Sequence, residues 1–167
     1  MSIAQSILPE LEHEMAGTRK LLERVPDGRF DWKPHPKSMT LGRLASHLAE
    51  LPGWGQYTME VTELDIMPPG QPKATGASLP TRAEILALFD QNLAAARKAI
   101  GAGSDADFMV PWTLQKGGAT VFTLPRVAVI RSLVLNHNVH HRAQLGVYLR
   151  LQEVPVPGLY GPTADEA

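Results

Sequence analysis

Apolar residues recur at three- and four-residue steps in four stretches of the chain, and each stretch reads as an amphipathic helix. In the first, from about Ile3 to Val25, one face carries Ile3, Ile7, Leu11, Met15, Thr18, Leu22 and Val25. Ser2 and Gln5 have capping-box spacing at its start, and Pro26-Asp27-Gly28 ends it. The second runs from an N-cap at Thr40 to about Val61, with Leu41, Leu44, Ala45, Leu48 and Leu51 inward. Pro52 and Gly53 bend it midway, because proline removes an intrahelical donor and clashes with the preceding turn. Thr81 and Glu84 form another capping box. It opens a third helix through Ile85, Leu88, Phe89, Leu93, Ala96 and Ile100, which Gly101 and Gly103 stop. The fourth and longest spans about Thr123 to Gln152, with Pro125 tolerated in its first turn.

The segments between them are of other kinds. Residues 30–37 are polar and proline-rich, and residues 65–80 read as one long loop across the outside of the domain. Two short β-like runs flank Gln115-Lys116-Gly117-Gly118 and predict a small hairpin over 107–122. Residues 152–167 form an extended tail. The pattern predicts an all-α protein: a four-helix bundle in one domain over 1–167, with a long crossover loop and a hairpin before the last helix.

Composition narrows the chemistry. Sixteen Lys and Arg against seventeen Asp and Glu give a formal charge of −1, with no basic stripe to track nucleic acid or an anionic membrane. The N-terminus lacks a basic start followed by a long apolar run, and no apolar stretch approaches the roughly 20 residues that span a bilayer. A soluble, cytoplasmic protein is expected. The chain has no cysteine, which removes thiolate nucleophiles, disulfides and Cys-ligated metals. Six histidines are then the most informative residues left.

His137 and His141 lie one turn apart on the fourth helix, on the face of Val127, Ile130, Val134, Leu145 and Tyr148. Two inward imidazoles need polar partners, and a shared divalent cation serves as one. A pair of core histidines bonded to Asn, Thr or water is an equal alternative. His47 lies on the second helix at the flank of its apolar stripe, in line with Leu51, Trp54 and Thr58. Alone it reads as a packing residue. Beside two inward imidazoles, it completes a three-histidine set that leaves a coordination position for water or substrate. His140 sits near the edge of the stripe as a weaker candidate, while His13 and His35 read as solvated. Gln144 shares the inner side of the fourth helix and is a candidate to orient a ligand or a bound water. Glu14, at the edge of the first helix's apolar face, is a candidate base or supporting carboxylate, with a surface glutamate as the plainer reading.

Four pieces of the chain, in order, resemble the DinB/YfiT-like metalloenzyme family. They are Trp32-Lys33-Pro34, the segment Ser38 to Leu48 that includes His47, the segment His137 to Leu145, and the tail Val154 to Pro162. The third is the most specific, being similar to the family's H-x3-H-R-G-Q signature with Ala143 in place of glycine. The resemblance implies an up-and-down four-helix bundle, often dimeric, with a divalent metal held by His47, His137 and His141. It also implies a stress-response setting and relatives that transfer low-molecular-weight thiols. All-imidazole ligation suits Zn, Ni, Fe or Co. The expected chemistry is Lewis-acid activation of a water or thiol for attack on a small electrophile, as a transferase or hydrolase. A metal-binding stress protein without turnover and a purely structural bundle are the alternatives.

Overall fold

The computed structural model describes residues 1–70 and 76–166. Helix α1 (Ile3–Leu22) starts at the capping box of Ser2 and Gln5, both halves of which are made. The second helical stretch divides as the Pro52-Gly53 pair dictates, into α2 (Leu41–Glu50) and α3 (Gly53–Glu60). Thr81 caps α4 (Arg82–Ala102), its side chain accepting from the Glu84 N–H. That helix passes through Gly101 and ends at Gly103. A short helix α5 (Asp105–Met109), with its own Ser104–Asp107 capping box, overlaps the start of the region expected to form the hairpin.

The last helical stretch departs most from a regular pattern. It begins at Arg126 rather than Thr123, because residues 123–125 belong to a strand. After one turn of α6 (Arg126–Val129) the backbone becomes π-helical over Ile130–Asn136, then returns to α-helix as α7 (His137–Leu151). The π segment inserts the equivalent of one extra residue, so faces projected across it shift by about 100°. The buried residues of α7 are Asn138, Arg142, Leu145, Tyr148 and Leu149, so Leu145 and Tyr148 face inward as expected while His137 and His141 lie beside that row. The two imidazoles are half-buried at the rim of the core rather than enclosed within it.

Helix α1 packs on α4 and α7, and α2 packs on the same two helices. Their shared core includes Leu11, Met15, Leu44, Leu48, Phe89, Ile100, Val134 and Leu145. Close approach of α3 to α4 depends on Gly55: a Cβ there would stand 3.0 Å from the Ala96 Cβ.

The fold is mostly helical but not all-α. A three-stranded sheet lies against the helices, ordered β1 (Glu63–Asp65), β2 (Pro111–Lys116) and β3 (Ala119–Pro125). The expected hairpin is present as the antiparallel β2–β3 pair, with Gly117 and Gly118 at φ +64° and +78° in its turn. Both turn positions need positive φ, which glycine adopts without a Cβ penalty. Strand β1 was not expected. It pairs parallel to β2, from Glu63 with Thr113 to Asp65 with Gln115. The Asp65 carboxylate accepts from the Gly117 and Gly118 N–H groups and ties β1 to the turn.

The expected long loop therefore begins after Asp65, and its 71–75 portion lies outside the described residues. Its far end returns across α2, where the Leu79 N–H donates to Ser46 Oγ at 2.8 Å. Gly76, at φ +52°, rests on Arg43: a Cβ there would be 2.6 Å from Arg43 Nε. Among the described residues, no helix is long and apolar enough to cross a membrane.

Trp112 of β2 anchors the sheet. It is fully buried with Leu114 and Val129, and its ring meets Trp54 of α3 at a centroid distance of 6.4 Å. Trp112→Ala is expected to cost about 3–5 kcal/mol of stability, read as a lower urea midpoint.

Candidate metal centre

The chain brings together the three histidines singled out by the helix faces. His47, His137 and His141 each offer one ring nitrogen to a group whose members all lie within 4.8 Å of one another. His47 Nε2 stands 3.4 Å from His137 Nε2, and His141 Nε2 stands 2.9 Å from the same atom. Nitrogens held ~2.0–2.1 Å from one ion are about 2.9 Å apart at a right angle and about 3.4 Å apart at the tetrahedral angle. The two observed separations match those values.

Each ring is turned by a bond on its other nitrogen. His47 Nδ1 faces Glu50 Oε2 at 3.4 Å, and a carboxylate accepts, so this nitrogen is the donor. His141 Nδ1 donates to Gln144 Oε1 at 2.7 Å. His137 donates to the backbone carbonyl of Leu133, four residues back. In a regular α-helix that carbonyl would accept the His137 N–H. Here the N–H goes to Ser132, five residues back, which is the π-helical pattern. With the proton on the outer nitrogen, every Nε2 presents a lone pair inward. Three lone pairs facing one another repel and cannot hydrogen-bond among themselves, whereas a shared cation satisfies all three. The donor set therefore fits a divalent metal ion, held by neutral imidazoles.

Glu50 and Arg43 are the residues that the pattern of inward faces did not reveal. The Glu50 carboxylate takes a two-pronged pair from Arg43, at 3.0 and 2.9 Å, with Oε2 shared between Arg43 and His47. Burial pushes the Glu50 carboxyl up, but its bonds to His47 and Arg43 outweigh this and hold it below the usual carboxylate range. A carboxylate–histidine pair of this kind fixes the ring and raises its basicity as a ligand. The signal was present in the chain: Glu50 follows His47 by three residues, which puts it on the same helix face.

The other candidates fall in distinct places. Gln144 lies behind His141, and its Nε2 contacts His140 Nε2 at 3.2 Å. His140 itself is exposed. Glu14 is engaged away from the three imidazoles. Its carboxylate is held by the buried Arg142 and by the Tyr160 hydroxyl of the tail, and these bonds lower its pKa against the opposing effect of burial. Arg142 also donates to the Glu14 carbonyl at 2.7 Å. Glu14 thus serves to lock α1, α7 and the tail together. His13 and His35 are exposed, His35 accepting from the Lys37 N–H.

Electrostatics sharpen the picture of the metal-free site. Burial lowers His137 to about 4, with the neighbouring His141 and His47 charges adding to the effect. Burial also lowers His141. In the unfolded chain a histidine titrates near ~6.5. Between about 6.5 and 4 the unfolded state binds more protons than the folded state, so stability falls as pH drops through that window. Urea unfolding of the metal-free protein is expected to show this decline, and His137→Asn to make it shallower. Glu50→Gln is expected to weaken zinc binding about 10–100-fold in competition with a chromophoric chelator, while leaving the fold intact.

Comparison with known proteins gives the chain its relatives. The Bacillus subtilis (strain 168) protein YrdA, named only as uncharacterized, is 27% identical over 162 residues, covering 95% of this chain and 89% of the relative. The crystal structure of a DinB-like protein from Bacillus cereus ATCC 10987 superposes with a TM-score of 0.70 at 20% identity, covering 95% of this chain and 98% of that one. A second DinB-like structure, YjoA of Bacillus subtilis, gives 0.66 at 14% identity over 90% and 96% of the two chains. Residues 10–145 match the sequence model of the DinB superfamily, a span that takes in the metal-centre histidines; the chain belongs to that superfamily.

Proposed function

We propose that this protein is a metal-dependent enzyme acting on a small molecule, with one divalent ion held by His47, His137 and His141. The observation that carries the reading is the convergence of three Nε2 atoms whose outer nitrogens are each hydrogen-bonded away from the centre. A bound divalent ion would supply Lewis acidity, lowering the pKa of a water or thiol it binds. Three protein ligands leave positions for such a group, which is the pattern of catalytic rather than structural zinc sites. All-imidazole ligation admits Zn, Ni or Fe.

The surrounding residues act on the ligands. Glu50, anchored by Arg43, orients His47 and offsets part of the ion's charge. Gln144 keeps His141 in the tautomer that coordinates and serves as the nearest amide for orienting an incoming group. The rings are half-buried, so a small substrate can approach them from the rim. With no cysteine in the chain, a thiol-transfer reaction requires a low-molecular-weight thiol as co-substrate. Transfer of that thiol to an electrophile is the favoured reaction class, and hydrolysis is the other reaction open to a metal-bound water.

We read the helical stretches as an up-and-down four-helix bundle in one domain, placed in the cytoplasm and working as a homodimer in a stress response. Neither nucleic acid nor membrane is among its partners in this reading. A metal-binding protein without turnover is the competing view, favoured by the absence, among the described residues, of a further carboxylate or histidine in the three-histidine group.

Metal analysis and a thiol assay test these readings together. Purified protein is expected to carry about one equivalent of divalent metal per chain, and His137→Ala and His141→Ala to lose it. Wild-type occupancy in both variants defeats the metal assignment. Metal-loaded protein is expected to accelerate consumption of an aryl halide by a low-molecular-weight thiol, or ester hydrolysis without one. Metal bound with neither reaction accelerated leaves the competing view standing.

A further inference from the structure

A second site lies outside the metal centre. Between α3 and the C-terminal half of α4 is a hollow of about 550 Å³, within the size range of small-molecule sites. Its floor is formed by the short side chains of Ala95, Ala99 and Ala102 and by Gly103. Its lining includes none of the three histidines, Glu50 or Gln144.

Two cations border this hollow, Lys98 and Arg126. Arg126 is only 8% exposed. Its Nη2 donates to the Val61 carbonyl at the end of α3, at 3.0 Å, and its Nε has no partner. Neither cation forms an ion pair among the described residues. The two acids in the lining hydrogen-bond to neutral groups, and the Asp107 charge also acts on Arg126 without bonding it. Glu60 accepts from Gln56 through both oxygens, and Asp107 caps α5 by accepting from the Ser104 N–H and hydroxyl.

A smaller hollow between α1 and α4 provides the contrast. Its cations Arg19 and Arg97 are paired with Asp90 and Glu12. A guanidinium taken out of water with one hydrogen-bonded acceptor and an unbonded Asp107 charge nearby is incompletely compensated, and a carboxylate that bonds it directly is its best-matched partner. An apolar trough beside it suits a short hydrocarbon body.

We propose that this hollow binds a small organic carboxylate, its anionic head between Arg126 and Lys98 and its apolar body along Ala95, Ala99 and Ala102. The site is separate from the metal centre, and its occupation does not depend on the reaction performed there.

Hexanoate is a suitable probe and hexanamide its uncharged control, each titrated into zinc-loaded protein and followed by ¹H–¹⁵N correlation spectra. Hexanoate is expected to cause saturable shifts at the end of α3 and along the last two turns of α4, and hexanamide to cause none. Lys98→Met, at an exposed position, is expected to weaken binding roughly tenfold through loss of one charge-assisted contact. Ala99→Leu fills the trough without changing charge and is expected to abolish binding. Equal binding of the two probes, shifts centred on α2 and α7, or no saturable change overturns the proposal.

Discussion

Everything distinctive about this structure follows from the need to hold three imidazoles with their Nε2 lone pairs facing one point. Left alone, such a cluster is unfavourable: the lone pairs repel, the rings are partly withdrawn from water, and His137 resists protonation. The surrounding fold resists its collapse by securing the outer nitrogen of each ring. Three different acceptors do this, a carboxylate for His47, a side-chain amide for His141 and a backbone carbonyl for His137. The third acceptor, the Leu133 carbonyl, lies within the π segment that precedes His137.

The remaining architecture can be read as support for that arrangement. Helices α2 and α7 carry the three histidines and pack against each other, while α1 and α4 complete the core behind them. Arg142 follows His141 directly but faces the opposite way, into a buried contact with Glu14 and Tyr160. The same turn of α7 therefore presents a ligand on one side and a structural anchor on the other. The sheet occupies the flank of α3, where Trp112 meets Trp54, and sets Arg126 at the mouth of the second hollow.

Much of this was legible in the chain because it depends on near neighbours. The capping box at Ser2–Gln5, the N-cap at Thr81, the break at Pro52-Gly53 and the glycine pair of the hairpin are local devices, each satisfied within a few residues. The histidine pair was legible for the same reason, as an i, i+4 spacing on a helix. Strand β1 was not, since three residues such as Glu63–Asp65 form a strand only when a distant partner offers its edge. Glu14 was equally opaque. Its position on α1 is local, but Arg142 and Tyr160 come from the far end of the chain and decide what its carboxylate does.

The sequence by itself determined the helical stretches, the choice of histidine as the candidate metal-ligating residue type and, through the absence of cysteine, the exclusion of protein thiols. Spacing and side-chain chemistry are properties of short segments, so they survive without a fold. The tertiary structure decided that His47 meets His137 and His141, that Glu50 rather than Glu14 stands behind a ligand, and that the imidazoles lie at the rim rather than within the core. Those outcomes depend on how separate helices rotate and pack. On α7 the expected Leu145 and Tyr148 are buried, but Asn138 and Arg142 join them in place of His137 and His141, which lie at the edge of that row.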